Sequence, residues 1–465
     1  MVLGCTSSAG KSLITAALCR WFVRQGVCVA PFKAQNMSNN ARVVDGGEIG
    51  VAQWLQARAA RVEPDVRMNP VLVKPEAETQ SQVVVLGRAD PAISAMPWEA
   101  RHDLVWEPMR SSFDSLRSQF DLVVIEGAGS PAEINLRDQV NNRTLEYADA
   151  AGLLVSNIDL GGSFAHLYGT WALVPDATRE RLTGFVLNQF RGDPTLLAPG
   201  PSRLTGLTGM AHLATVPMID HDLPDEEGAV YRRSSISTGR SVGVVRLPFG
   251  SNLDEFHALA RAGRLRVVGS PGDLDGCDIV IVPGSKHVAS DMAWMRRTGL
   301  ADALVLRARA GGRTIGVCGG AMMLGTAVDD PEGVEGSCAG LGLLPIRTVM
   351  QPDKLVRRTS VRFGGLPEAW SMLDARRASG YEIRHRRVTA FGPVGTVDPC
   401  VWADGVVLAT TVHGCFEEPE VVAALVGGSV DTVDAVDRTL DQLADAVEDT
   451  FDHGALWRMV EPVRG

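Results

Sequence analysis

Short apolar runs alternate along the chain with stretches in which apolar residues return every third or fourth position. Val27-Cys28-Val29-Ala30-Pro31-Phe32, Leu122-Val123-Val124-Ile125, Leu153-Leu154-Val155 and Phe185-Val186-Leu187 are short, continuous and rich in β-branched residues, which predicts strands buried on both faces. Leu13, Ile14, Ala17, Leu18, Trp21 and Phe22 fall at helical spacing, and an amphipathic helix is expected to open at Gly46-Gly47-Glu48-Ile49-Gly50 and run through Gln53, Gln56 and Ala60. Strand and helix in alternation predict α/β architecture with parallel sheets. Periodicity is lost from Pro217 to Gly239, where Asp220, Asp222, Asp225, Glu226 and Glu227 gather ahead of Arg232 and Arg233. Such a stretch reads as a linker.

The alternation resumes with Val242-Gly243-Val244-Val245, Ile279-Val280-Ile281-Val282, Arg313-Thr314-Ile315 and Val406-Val407-Leu408-Ala409. Val433, Val436, Leu440, Leu443 and Val447 predict a closing amphipathic helix. A chain of 465 residues exceeds what one core ordinarily holds. The expected division is therefore two doubly wound domains, 1–220 and 241–430, with a linker at 221–240 and a helix and tail at 431–465.

Composition narrows the class. Hydrophobic residues make up 45% and charged residues 22%, as in soluble globular proteins. A net charge of −10 argues against nucleic acid or an anionic membrane surface as partner. The sequence shows neither a run long and apolar enough to span a membrane nor a signal-peptide layout. Eight cysteines without a C-x-x-C pair fit reduced thiols, hence a cytoplasmic enzyme; a homo-oligomer is compatible with all of this. The apolar run before the first loop is clipped, which points to a start codon upstream of Met1.

Two motif groups carry chemistry. Gly4-Cys5-Thr6-Ser7-Ser8-Ala9-Gly10-Lys11-Ser12 lies between a short strand and a helix. It reads as a phosphate-binding loop, in which Gly4 and Gly10 let backbone N–H groups curl round a phosphate, Lys11 neutralises it and Ser12 holds Mg²⁺. The strand ending at Glu126 and followed by Gly127-Ala128-Gly129-Ser130 places an acid where a P-loop fold organises Mg²⁺ and its water. Lys33, Gln35 and Asn36 begin an amide-rich loop after another strand, suited to carboxylates or amides of a polar substrate or to a plain solvated turn. Asn188 ends a further strand, a position that in nucleotide folds often meets the base.

In the second half, Gly316-Val317-Cys318-Gly319-Gly320 is a cysteine form of the nucleophile elbow, whose glycines permit a sharp strained turn between strand and helix. A structural cysteine on a Gly-rich turn is the competing reading. His413, at the end of another apolar run, stands where a base would sit if both strands share a parallel sheet, and this favours the elbow. Backbone N–H groups of Gly319 and Gly284 are candidates for an oxyanion hole.

Taken together, Gly4 to Ser12, Ala30 to Asn40, Gly46 to Gly50, Glu126 to Arg137, Asn188 to Asp193, Gly380-Tyr381-Glu382-Ile383 and the Cys318 and His413 sites resemble the cobyric acid synthase family over nearly the whole chain. The resemblance implies a dethiobiotin-synthetase-like ATP domain followed by a class I glutamine amidotransferase domain. It implies ATP- and Mg²⁺-dependent amidation, with nitrogen from L-glutamine, of the b, d, e and g carboxylates of a corrinoid, adenosylcobyrinic acid a,c-diamide. The chain departs from the family pattern at Val140, with Asp138 as a substitute acid; at Leu160; at Ala321-Met322-Met323 after the elbow; and at Cys415, where a third triad acid is usual, with Glu417 as the nearby candidate. Two alternatives stay open on the sequence: an amidotransferase for another carboxylate, such as the cobyrinate a,c-diamide synthase type, and a nucleotide-binding protein with a decayed synthetase site.

Overall fold

The structure, a computed structural model, describes every residue except 78–79, 135–139, 222, 224–238, 334, 393, 395, 429–434 and 462–465, and for 76, 77, 80, 99, 352 and 386 the backbone alone. Asn135, Leu136, Arg137 and Asp138, most of the expected linker, and Val433 lie outside the described residues.

The first half builds a parallel sheet in the order Val29–Phe32, Leu122–Ile125, Val2–Gly4, Gly152–Asn157, Leu182–Phe190, Ala211–Pro217, its second and third members joined by the bridge Val2–Glu126. The apolar runs form these strands because both faces are covered, one of them by the helix Lys11–Arg24, which buries Ile14, Ala17, Leu18, Trp21 and Phe22. The loop after Val2–Gly4 and the loop after its neighbour Leu122–Ile125 leave the same sheet edge side by side. That adjacency brings Ser12 to Glu126.

Residues 46–50 do not open a helix. Gly47–Gly50 is a strand paired antiparallel with Ala41–Val44, and the helix runs Val51–Ala59. Three glycines in five residues disfavour a helix, and a Cβ at Gly47 would lie 2.3 Å from the Gly87 carbonyl oxygen, so close backbone approach occupies that position instead. A mixed sheet, Gln35–Met37, Val71–Ala77, Gln80–Val85 and Arg88–Ala89, flanks the main one.

The second half repeats the architecture: Leu265–Val268, Val242–Val245, Ile279–Val282, Arg313–Val317 and Val407–Thr410 lie parallel, and Val401–Asp404 closes the edge antiparallel. A long hairpin, Ile346–Arg362 against Arg377–Ala390, extends from this domain towards the first. There Arg358 Nε donates to Val43 O at 3.4 Å, and buried Glu48 takes an ion pair from Lys74 of its own domain and another from Lys354 of the hairpin.

The last long helix, Ala435–Thr450, returns to the first domain. Leu440, Leu443, Ala444 and Val447 join the core that contains Ile14 and Trp21. On its polar side Asp437, Asp441 and Asp445 pair with Arg20 and Arg24 of the helix Lys11–Arg24, and Trp21 Nε1 donates to Glu448 at 2.6 Å. Leu443→Ala is expected to lower the unfolding free energy by about 2–5 kcal/mol, the range for emptying a buried leucine site. Urea denaturation measures this; a loss well under 1 kcal/mol would exclude the helix from the core.

Candidate active site

Cys318 follows the strand Arg313–Val317 at φ 48° and ψ −104°, a conformation that side chains with a Cβ avoid. The sheet holds it there: its N–H donates to Thr410 O of the adjacent strand at 2.8 Å. The turn fits only because a Cβ at Gly320 would stand 1.9 Å from Val282 O, an approach no other residue allows. His413 leaves the loop after Val407–Thr410, and both its backbone groups pair with Tyr381, at 2.9 and 3.0 Å. Parallel pairing of the two strands thus carries Cys318 and His413 into hydrogen-bond contact.

Glu255 completes the set. It lies on a short helical turn, Leu253–Phe256, and is fully buried. One carboxylate oxygen is 2.8 Å from His413 Nδ1, which leaves Nε2 for the thiol, and the other accepts the Gly414 N–H at 2.9 Å. Burial works against a charged imidazole. The charges and hydrogen bonds of Cys318 and Glu255 outweigh it and raise the His413 pKa to about 10.

Glu417 is not the third member. After Gly414, at φ 87°, the chain enters a turn that sends the Glu417 carboxylate to Arg42 Nη1, 2.5 Å away. Glu255 escapes sequence reasoning because it stands far upstream of His413. The one available signal is the acidic pair Asp254-Glu255 after the first strand of the domain.

Gly284 and Gly319 flank the elbow. A Cβ at Gly284 would meet His413 Cε1 at 2.8 Å, and one at Gly319 would meet Ser285 N at 2.6 Å. Gly284 is thus pressed against the triad, and Gly319 against Ser285. The cleft over Cys318 is lined by Ser285, Glu335, Arg384 and His413 from the second domain and by Asn39 and Lys74 from the first.

The phosphate loop lies in the first domain. Gly10 is at φ 90°, and a Cβ there would stand 2.1 Å from Asn188 Nδ2, which itself donates to Ala9 O at 3.0 Å. Lys11 Nζ donates to the Thr6 and Ser7 carbonyls at 3.2 and 3.4 Å, so it folds back over its own loop; a Cβ at Gly4 would lie 2.8 Å from that ammonium. Glu126 is buried at the centre of a set that the sequence reveals only in part. Ser12 Oγ and Lys33 Nζ each bond one carboxylate oxygen at 2.8 Å, and Gln56 and Gln53 donate to the other. Asn36 joins through Gln53 at 3.0 Å. Gln53 and Gln56, three apart and on one helix face, are expected from the sequence only as helix positions, and their bonds to Glu126 give them a place in the site. Gln35 does not join the set; it borders a separate small cavity with Trp98, Arg101 and His102. Of the departures, Val140 packs beside the core containing Phe32 and Phe113, and Leu160 is exposed.

A thiol–imidazole–carboxylate triad on one α/β domain and a P-loop with a buried acid on the other define the class: a glutamine amidotransferase domain behind a nucleotide-binding domain. Residues 1–223 match the family model described as CobQ/CobB/MinD/ParA nucleotide binding domain, and residues 241–421 match the CobB/CobQ-like glutamine amidotransferase domain. A cobyric acid synthase of Variovorax paradoxus (strain S110) is 51% identical over 99% of this chain and 98% of its own, and one of Polaromonas sp. (strain JS666 / ATCC BAA-500) is 48% identical over 99% and 98%. A solved glutamine amidotransferase aligns with 44% of this chain and 98% of its own at 21% identity, with a TM-score of 0.29. The chain belongs to the cobyric acid synthase family. No helix among the described residues is long and apolar enough to cross a membrane.

If the imidazolium donates the proton to the leaving nitrogen, glutamine hydrolysis falls on the alkaline side as His413 loses its proton, near pH 10. Glu255→Gln withdraws a charge that favours the protonated ring, so this limb should move to lower pH and kcat should fall by about 100-fold or more. Glutamate release measured against pH checks both.

Proposed function

We propose that the chain amidates the b, d, e and g carboxylates of adenosylcobyrinic acid a,c-diamide in the cytoplasm, with nitrogen from glutamine and activation by ATP. The observation that carries this is the pairing of a glutaminase triad with a phosphate loop and its buried acid in one chain, whose relatives at about half identity bear the cobyric acid synthase name.

Cys318 Sγ attacks the glutamine side-chain amide carbon, the oxyanion turns towards the N–H groups of Gly319 and Gly284, and His413 gives its proton to the departing ammonia. His413 then takes a proton from water, which hydrolyses the thioester to glutamate. In the first domain a corrinoid carboxylate oxygen attacks the γ-phosphorus of ATP and releases ADP. Ammonia then attacks the acyl phosphate carbon, and phosphate leaves. Lys11 neutralises the transferring group, and Lys33, already drawn to Glu126, adds a second positive charge beside it. Ser12 and Glu126 offer two hard oxygens in mutual contact, a donor set that fits Mg²⁺, which would supply further charge neutralisation. Lys33 and Asn36 are the proposed acceptor-side contacts, the first through charge and the second through its amide, whereas Gln35, facing a separate cavity, is not among them.

Purified protein incubated with the a,c-diamide, ATP and glutamine should give the mass of a product amidated at all of the b, d, e and g positions. Cys318→Ser should abolish this with glutamine and retain it with ammonium salts, because only the nitrogen source is removed. Unchanged corrinoid beside active glutamine hydrolysis would assign the chain another acceptor.

A further inference from the structure

One side chain of the first domain reaches the residues that surround the glutaminase triad. Arg42, on the strand Ala41–Val44, is 6% exposed. One arm of its guanidinium pairs with Asp254, next in sequence to Glu255; the other lies 2.5 Å from Glu417, on the turn that follows His413. Its plane also sits 5.4 Å from the centroid of Tyr381, and that ring stacks on His413 at 5.6 Å and 23°. Trp54 covers it from the first domain at 5.0 Å. Two further bonds fix the register on either side: Ala41 N–H donates to Asn252 Oδ1 at 3.1 Å, and Leu253 N–H donates to Asn40 Oδ1 at 3.2 Å.

Contacts from three directions thus converge on the Glu255–His413 pair, yet Arg42 is not among the described residues that line the cleft over Cys318. We propose that Arg42 is a positioning residue through which the first domain sets the Glu255–His413 geometry, so that the glutaminase of this chain is completed by the docked synthetase domain. The inference rests on the triad reading given above. Its physical basis is the guanidinium fork, which engages two carboxylates at a fixed spacing that an ammonium cannot reproduce. Without it, Asp254 is left buried beside Glu255 with its charge uncompensated. A displacement of about 1 Å in a catalytic group costs on the order of 100-fold in rate.

The test is glutamate release by the full-length protein. Arg42→Ala is expected to lower kcat by about 30- to 100-fold and to leave KM within about threefold, because the residue acts on the triad and not on bound glutamine. Millimolar guanidinium should restore part of that kcat by refilling the vacated site. Arg42→Lys should lose about tenfold, since it keeps the charge and loses one arm of the fork. A folded Arg42→Ala protein with kcat within about threefold of wild type overturns the inference, as does a loss that guanidinium leaves untouched. Should Arg42→Ala not fold, Arg42→Lys decides, and wild-type kcat in that variant overturns it. A wild-type protein without glutaminase activity would instead overturn the triad reading, and this inference with it.

Discussion

Glu255 holds a carboxylate where no water reaches it, and stripping water from such a group costs several kcal/mol unless its charge and lone pairs are met. His413 and the Gly414 N–H meet them, and in return the carboxylate holds the imidazole in one orientation and favours its protonated form. The elbow, the parallel strand pair and the glycines at 284 and 320 bring a thiol within reach of that imidazole. The buried acid gives the contact its direction. A triad with Glu255 absent would retain its strands and lose its proton chemistry.

The same constraint recurs across the molecule. Glu126 is buried and satisfied by Ser12, Lys33, Gln53 and Gln56, and Glu48 by Lys74 and Lys354, while Asp254 is met at one oxygen by Arg42. For Glu48 and Asp254 a partner comes from the other domain. Separating the domains would leave Asp254 bare beside the triad and would take the Lys354 ammonium from Glu48. Breaking such pairs is costly even where forming them contributes little. The interface therefore specifies one docking geometry more than it adds stability. Lys354 shows the tension: burial drives its pKa down to about 7 against the pull of Glu48, whose own pKa the two lysines hold at about 2.

What was legible in the sequence followed from local chemistry. Cys318 and His413 stand at the ends of apolar runs with glycine beside them, and parallel pairing of those runs is enough to bring them together. Ser12 and Glu126 meet for the same reason at a second sheet edge. Glu255 was illegible because its partner lies 158 residues downstream and nothing in its own neighbourhood depends on that partner. The destination of the helix Ala435–Thr450 was illegible too: its periodicity announces an apolar face, whereas the core that receives it belongs to the opposite end of the chain. Gly46 to Gly50 misled because a glycine cluster at a helix start and one in a tight hairpin have the same composition; the difference lies in Gly87, a contact across the fold.

Cys318 ties these levels together. Its backbone strain, of the order of 1–3 kcal/mol, persists only because the surroundings leave it no alternative. The Thr410 carbonyl fixes its N–H, and the Val282 carbonyl closes the space behind Gly320. Relaxing the turn would require the strand Arg313–Val317 to part from its neighbours Ile279–Val282 and Val407–Thr410, and all three contribute to the domain's core. The strain is therefore held by apolar packing far larger than itself. It fixes the sulfur at the cleft that Asn39 and Lys74 of the first domain also line.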